Sequence, residues 1–233
     1  MNDRVCAIVG AGPGNGRALA ERFAGDGYRF ALLGRTQEKL DGIAADLPEA
    51  RGFAADAGDP SSLRGAFNRI RSELGPVDVL LYNAGSGQWG NFQEITPDGL
   101  ETGWRVNVLG LMVAGQAVAD DMIARGSGAI VVTGATASLR GAVGTAGFAP
   151  AKAGQRALAQ SMAKHLGPKG VHVALIVVDG VVDLETTRAR MPDKPDDFFL
   201  APAAVAEAAH FLAHQPRAGW TFELDVRPFA ERW

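Results

Sequence analysis

The sequence predicts an α/β fold, a single domain with a doubly wound parallel sheet and helices on both faces. Three observations predict it. Short apolar runs alternate with longer helix-like stretches along the whole chain. Most of these runs lack polar alternation, which is typical of strands buried on both faces. A cluster of glycines also follows the first run and opens a helix, as in folds that bind nucleotides at this point.

Seven apolar runs have the length of a buried strand and about as many strands are expected in the sheet. They are Val5–Val9, Arg29–Leu33, Gly52–Ala55, Val77–Tyr82, Ala129–Thr133, Val171–Val178 and Thr221–Val226. Six stretches between and after them predict helices: Gly16–Ala24, Gln37–Leu47, Ser61–Leu74, Leu100–Arg125, Gly147–Leu166 and Ala203–His214. This repeated strand–helix alternation indicates a sheet of the Rossmann type.

Length and composition favour one soluble domain over residues 1–233. The net charge of −3, from 23 basic and 26 acidic side chains, disfavours a nucleic-acid partner. The single cysteine, Cys6, excludes an internal disulfide and lies in an apolar run, so we expect it to be buried. No apolar run approaches the ~20 residues of a membrane span, and a signal peptide has no room before Val5, so we expect no membrane partner and a cytoplasmic location.

Two further segments concern a possible metal site and a possible substrate site. His210 and His214 lie one helical turn apart, but no third ligand is near them in sequence, so we expect a solvated helix end and no metal site. The stretch Asp183–Pro202 is irregular, with three prolines and clustered charges. It predicts a mobile flap over a substrate site, at residues 183–202, more than a domain boundary.

The glycine-rich turn predicts a phosphate site. It has the spacing Gly-x-x-x-Gly-x-Gly, formed by Gly10, Gly14 and Gly16, with Asn15 between the last two. Glycines let a pyrophosphate approach the backbone, and the free N–H groups of the following helix favour an anion. A glycine-rich loop without a ligand is the alternative interpretation.

The end of the second predicted strand bears on the choice of cofactor. A site for NAD(H) usually has a carboxylate there to bind the ribose 2′-hydroxyl. This chain has Arg35 instead, which can fork onto a 2′-phosphate, unless it is only a solvated surface residue. NADP(H) is therefore favoured and NAD(H) remains possible. Asp56, with its neighbour Ala57, ends the third strand where it could bind the adenine amino group.

Positioned motifs along nearly the whole chain resemble the short-chain dehydrogenase/reductase family. They are the glycine spacing, Tyr82-Asn83-Ala84-Gly85 after the fourth strand, Asn107 within a long helix, Lys152 in the helix after the fifth strand, and Asp179-Gly180 after the sixth. The resemblance implies a small-molecule substrate and a homodimer or homotetramer. It also implies cofactor contacts from Asn83, Ala84, Gly85, Lys152, Gly180 and Val182.

The catalytic pair of that family is missing. Its tyrosine lies four residues before the lysine, where this chain has Phe148, and its serine lies thirteen residues earlier, at Ala135. Phe148 cannot ionise and Ala135 cannot hydrogen-bond through its side chain. The polar side chains that remain as catalytic candidates are Lys152, Asn107, Thr136 and Ser138.

Two functions therefore stay open. The first is an NADP(H)-dependent oxidoreductase with an altered proton relay, whose proton comes from water held by Asn107 and Lys152, or from Thr136, Ser138 or a flap acid such as Asp183. Losing a positioned acid typically costs ~10²–10⁴ in rate, so an activated double bond or an imine suits this site better than an ordinary ketone. The second is a weak or inactive NADP(H)-binding protein or partner subunit.

Overall fold

The computed structural model describes residues 4–231, so residues 1–3 and 232–233 of the predicted domain lie outside the description. Seven parallel strands form one sheet, in the order β3-β2-β1-β4-β5-β6-β9. These strands are β1 (Val5–Val9), β2 (Arg29–Gly34), β3 (Ala50–Ala54), β4 (Val77–Tyr82), β5 (Gly128–Thr133), β6 (Val171–Val178) and β9 (Glu223–Val226). A two-stranded ribbon adds β7 (Val181–Val182) and β8 (Phe199–Leu200). The predicted doubly wound sheet is confirmed.

Helices join the strands and cover both faces of the sheet. They are α1 (Asn15–Ala24), α2 (Gln37–Ala44), α3 (Pro60–Glu73), α4 (Pro97–Trp104), α5 (Gly110–Arg125), α6 (Ala149–Leu166), α7 (Glu185–Arg190) and α8 (Pro202–Ala213). The predicted continuous helix Leu100–Arg125 is wrong in one respect. A π-helical segment, Arg105–Leu109, lies between α4 and α5, and such insertions often occur at functional sites.

The continuous apolar strands supply two cores, one on each face of the sheet. Along β1, Val5, Ala7 and Val9 lie in the core beneath α3 and α5, whereas Cys6 and Ile8 lie in the core beneath α1 and α8. Successive side chains of a strand point to opposite faces, so a strand between two helix layers is apolar at every position. Cys6 is fully buried, as expected, and this burial raises the pKa of its thiol.

The segment predicted as an irregular flap is largely ordered into short elements. Its first residues follow β7, which pairs with β8 and so closes the segment on itself. Most of the residues that connect these two strands belong to α7 or to a 3₁₀ turn at Asp196–Phe198. Leu184 covers the glycine-rich turn, because a Cβ on Gly14 would collide with its side chain. The segment therefore lies over the predicted phosphate site.

One helical run corrects an expectation from the sequence. Within the part of the chain that the structure describes, Pro97–Arg125 is long and apolar enough to cross a membrane by length and composition. Half of its apolar window is buried inside the domain. Leu111, Val118 and Met122 pack fully into the core beneath the sheet. We therefore assign the run to the core of this domain.

Candidate functional site

A cleft opens at the carboxyl edge of the sheet, between β1 and β4. The strand order reverses between these two strands, and ligands of open α/β sheets bind at such a switch point. The cleft has a volume of about 640 Å³. Seven of the predicted cofactor residues line it: Gly10, Arg35, Asp56, Ala57, Asn83, Ala84 and Gly85.

The first glycine of the turn permits a close approach of two chain segments. Gly10 has a φ of +89°, and a Cβ there would lie 2.6 Å from the backbone nitrogen of Ala84. The amide nitrogens of Gly10 and Ala11 both donate to the Leu33 carbonyl at 2.9 Å. The Asn83 side-chain amide donates to the Gly10 carbonyl at 2.9 Å. Only glycine suits this position, and Asn83 braces the turn against the end of β4.

The other members of the glycine motif do not line the cleft. A Cβ on Gly16 would lie 2.5 Å from the Gly10 carbonyl oxygen, so Gly16 lets α1 pack against the turn. Gly14 lies beneath Leu184 of the flap segment. The Asn15 side-chain oxygen is buried and has no hydrogen-bond partner among residues 4–231. A ligand hydroxyl or amide could donate to this acceptor at the start of α1.

The rim of the cleft is basic. Arg35 lines it as predicted, and Lys39 in the first turn of α2 lines it as well. Arg105 lines the opposite side and donates from Nε to the Gly58 carbonyl at 3.1 Å. Sequence reasoning missed Lys39 and Arg105. The closeness of Lys39 to Arg35 in sequence was a usable signal, whereas Arg105 reaches the cleft only because the fold places the π-helical segment Arg105–Leu109 there.

A second group of side chains lies near Lys152: Asn107, the Phe148 ring, and Ser138 in the 3₁₀ turn Thr136–Ser138, which packs against α6. We call Lys152, Asn107, Ser138 and Phe148 the catalytic corner. Lys152 is buried, with 4% of its surface exposed. Its Nζ donates to the Thr133 carbonyl at 2.9 Å and to Gln155 Oε1 at 3.0 Å. Desolvation by burial lowers the pKa of Lys152 to about 7. An ammonium carries three donors, so one is left for a ligand or water.

Asn107 lies in the π-helical segment and is fully buried. Its amide nitrogen donates to the carbonyls of Gly103, at 2.8 Å, and Ser86, at 2.6 Å. Its side-chain oxygen has no partner within the described part of the chain. A Cβ on Gly85 would lie 3.3 Å from Lys152 Nζ and 3.5 Å from this oxygen. Asn107 and Lys152 therefore meet at Gly85, which also lines the cleft.

The hydroxyl and carboxyl groups that are candidate proton donors differ in whether they have a proton free to donate. Thr136 Oγ1 donates to the Asp179 carboxylate at 2.6 Å, so its proton is already engaged. Ser138 Oγ is buried without a partner among residues 4–231. Asp183 receives two hydrogen bonds from Arg188, at 2.5 and 2.9 Å, and these hold the pKa of its carboxyl below the usual value. Ser138 remains available, whereas an ionised Asp183 is a poor proton donor.

Phe148 occupies the place predicted for a missing tyrosine. Lys152 Nζ lies 5.7 Å from the centre of its ring, and Trp89 stacks on the ring at 5.0 Å. Tyr82 is buried and donates its hydroxyl to the Val106 carbonyl, and burial raises the pKa of that hydroxyl. Tyr28, the other tyrosine, lies just before β2 at the opposite edge of the sheet. Neither tyrosine replaces the missing acid.

Two predicted cofactor residues are kept from the cleft by their own packing. Gly180 has a φ of +154°, and a Cβ on it would lie 2.7 Å from Pro228. Val182 pairs with Leu200 in the ribbon of the flap segment. Both residues shape the segment that covers the glycine turn, and neither lines the cleft in this structure.

Comparison with known proteins is consistent with this geometry. A family model described as short chain dehydrogenase matches residues 4–195. The chain belongs to the short-chain dehydrogenase family. The family resemblance seen in the sequence is thereby confirmed.

Relatives of this short-chain dehydrogenase cover nearly its full length. Human 3-oxoacyl-[acyl-carrier-protein] reductase is 28% identical over 220 residues, which are 92% of this chain and 92% of the human protein. The crystal structure of a short-chain dehydrogenase from Rhodopseudomonas palustris is 33% identical, with a TM-score of 0.84, over 98% of this chain and 100% of that one. An alcohol dehydrogenase from the archaeon Thermococcus sibiricus, complexed with 5-hydroxy-NADP, is 28% identical, with a TM-score of 0.89, over 98% of both chains.

Proposed function

We propose that this protein is an NADP(H)-dependent oxidoreductase for a small polarised substrate, with Lys152 as the proton source. The observation that carries the proposal is the catalytic corner, where a buried lysine with a pKa of about 7 meets an unpartnered Asn107 oxygen at Gly85. A general acid works best when its pKa lies near the working pH. A lysine in this state can supply a proton that the family draws from tyrosine.

The cleft fits a dinucleotide phosphate. Gly10 keeps the turn free of a side chain, and Arg35 and Lys39 supply positive charge at the rim. The Arg35 guanidinium can donate two parallel hydrogen bonds to a 2′-phosphate. The Thermococcus sibiricus relative with its NADP derivative supports this choice. A bound nicotinamide cofactor would supply the hydride of a reduction.

The chain's own residues would then hold the substrate and deliver a proton. Lys152 has one donor left after its bonds to Thr133 and Gln155, and the Asn107 oxygen can accept from a bridging water. Such a water would pass the proton from Nζ to the substrate. Ser138 can donate to a substrate oxygen or nitrogen from the neighbouring turn. Because no strong acid touches the substrate directly, an enone or imine suits the corner better than a simple ketone.

A second candidate function is NADP(H) binding without turnover, in a partner subunit or a sensor. The stacking of Trp89 on Phe148 favours this function, because the ring at the position predicted for tyrosine packs against a neighbour and cannot donate a proton. In either case we expect a cytoplasmic homodimer or homotetramer.

The test separates these two functions. NADPH oxidation is followed by absorbance with a panel of ketones, enones and imines, at saturating cofactor. We expect reduction of an enone or imine that slows as the pH rises through about 7, because the Lys152 ammonium is lost there. Lys152→Met should lower the rate by ~10²–10⁴ and abolish this pH dependence.

Two control variants sharpen the result. Lys152→Arg keeps a cation that cannot release its proton, so it should bind NADPH but fail to restore the rate. Lys164→Met, at an exposed position of the same helix, should change neither property. Tight NADPH binding with no turnover of any compound would instead support the second function.

A further inference from the structure

The amino edge of the sheet, opposite the cleft, carries a cluster of two histidines and one aspartate. Asp26 lies in the turn between α1 and β2, His210 in the last turn of α8, and His214 just after that helix. One ligand atom from each residue lies within 4.8 Å of the other two. His210 Nε2 is 2.7 Å and His214 Nε2 is 3.9 Å from Asp26 Oδ2.

We propose that Asp26, His210 and His214 bind a divalent first-row transition cation such as Zn²⁺. Two imidazoles at i and i+4 at the end of one helix, with a carboxylate from another segment, are a three-ligand set that leaves a fourth position for water. Nitrogen and oxygen donors of this kind favour zinc, nickel or copper over magnesium or calcium. Sequence spacing could not identify this third ligand, because Asp26 precedes His210 by 184 residues.

The hydrogen bonding of His214 prepares it as a ligand. Its Nδ1 lies 2.9 Å from the His210 carbonyl oxygen, which can only accept, so Nδ1 carries the proton. Nε2 then carries a lone pair, which accepts a hydrogen bond from the Tyr28 hydroxyl at 3.2 Å and which a cation would take over. Histidines that bind metals usually donate their other ring N–H to a backbone carbonyl or carboxylate in this way.

The surroundings limit how the ligands can move. The Phe23 ring packs against His210 edge-on at 5.1 Å, and Tyr28 lies with its hydroxyl 3.2 Å from His214 Nε2. Arg4 donates to the Tyr28 hydroxyl and to the Asp26 carbonyl, and its charge opposes a cation nearby. The side chains of His210 and His214 keep 18% and 30% of their surface exposed, so a cation can reach them from solvent.

Binding requires a small rearrangement. At 2.7 Å, His210 Nε2 and Asp26 Oδ2 are at hydrogen-bond distance and share a proton. Metal bonds of ~2.0–2.2 Å spread these atoms apart, and the proton must leave or move to Nδ1. The cation would then fix the end of α8 to the turn after α1. Because this edge is remote from the cleft, the site would stabilise the fold and take no part in the reaction.

The test uses the full chain without an affinity tag, stripped with EDTA, because a histidine tag would itself bind zinc. Titration with ZnCl₂ is followed by calorimetry, and thermal unfolding is measured with and without the metal. We expect one ion per chain and a rise in Tm of ~5–10 °C at a zinc concentration of ~100 Kd. MgCl₂ should have no such effect, and CoCl₂ should give the visible absorption of a low-coordinate nitrogen–oxygen site.

Variants assign the effect to the cluster. Asp26→Asn keeps the shape of the side chain and His214→Gln keeps a polar group, and each should abolish the zinc-dependent rise in Tm. His165→Gln, on the exposed end of α6, should retain it. Unfolding in EDTA shows that each variant is folded, and either variant alone decides the case. A rise in Tm that survives either cluster variant, or calorimetry without saturable binding to the wild type, would overturn the proposal and leave a plain His–Asp hydrogen bond.

Discussion

The cleft between β1 and β4 and the catalytic corner lie side by side at the same edge of the sheet, yet they depart from their family in different degrees. The cleft keeps the glycine turn, Asn83 and a basic rim. In the corner, the spacing from Lys152 predicts Phe148 and Ala135 at the positions where the resemblance implies an acid and its serine partner. Binding and chemistry can therefore change independently, because they rest on different loops of one scaffold.

The same contrast explains the state of Lys152. In the cleft, cations lie at the rim, where water reaches them. In the corner, the lysine is buried, hydrogen-bonded only to neutral oxygens of Thr133 and Gln155, and its pKa falls to about 7. Among residues 4–231 no carboxylate compensates for the lost hydration, so desolvation decides the protonation of this amine.

The largest effect is expected from restoring the missing acid, which would remove the difference between the cleft and the catalytic corner. Phe148→Tyr adds a hydroxyl near Lys152, and Ala135→Ser adds a second one at a half-buried position beside the 3₁₀ turn. We expect the double variant to reduce simple ketones ~10²-fold faster than the parent, with the two changes acting non-additively. Steady-state turnover of parent, both single variants and the double variant on one ketone panel measures this.

One result would contradict the expected gain in ketone reduction. A double variant that is folded and binds NADPH but gains no ketone reduction would show that the corner does not align with the family's catalytic pair. Phe148→Leu serves as a control, because it removes the ring without adding a hydroxyl and should give no gain.

Arg35 tests the cleft in isolation from the corner. We expect NADPH to bind more tightly than NADH, and Arg35→Ala to weaken NADPH binding by ~10–100-fold with little effect on NADH, because a charge-assisted contact to the 2′-phosphate is worth ~1.5–3 kcal/mol. Calorimetry with both cofactors measures it. Arg64→Ala, at an exposed position of α3, should leave both affinities unchanged. Equal affinity of the wild type for the two cofactors would contradict a phosphate-binding role for Arg35.

The last effect concerns stability and sharpens the account of the corner. Native Lys152 loses its proton near pH 7, whereas the unfolded side chain keeps it up to about 10.5. The unfolded state therefore binds more protons in this window, and the free energy of unfolding should rise with pH across it. Below pH 7 both states are protonated and the cost of burying the charge is felt in full.

The measurement compares the wild type with Lys152→Met by urea unfolding at about pH 7, 8 and 9. The difference between them should move in favour of the wild type by up to ~1.4 kcal/mol per pH unit. A difference that stays constant over the range would mean that the buried amine keeps its ordinary pKa, and the proton relay proposed above would lose its donor.

Most of the fold and part of the candidate site could be predicted from local sequence. The strands were predictable because a strand buried on both faces is apolar at each position, as β6 is over its whole length. Gly10 was predictable from its place after β1, and Arg35 from its place after β2. Lys39 was within reach of the same reasoning. The ordered ribbon of the flap segment was missed, because two-residue strands leave no periodic pattern.

The sequence by itself determined the family, the layers of the domain, and the absence of an ionisable side chain at Phe148 and a hydroxyl at Ala135. Tertiary structure alone decided how available the remaining groups are: Thr136 is engaged by Asp179, Asp183 is paired with Arg188, and Lys152 is dehydrated. It also brought Asp26 to the two histidines across most of the chain. The physical reason is that identity and spacing fix local patterns, whereas burial and long-range hydrogen bonding, which set pKa and ligand geometry, exist only in the folded protein.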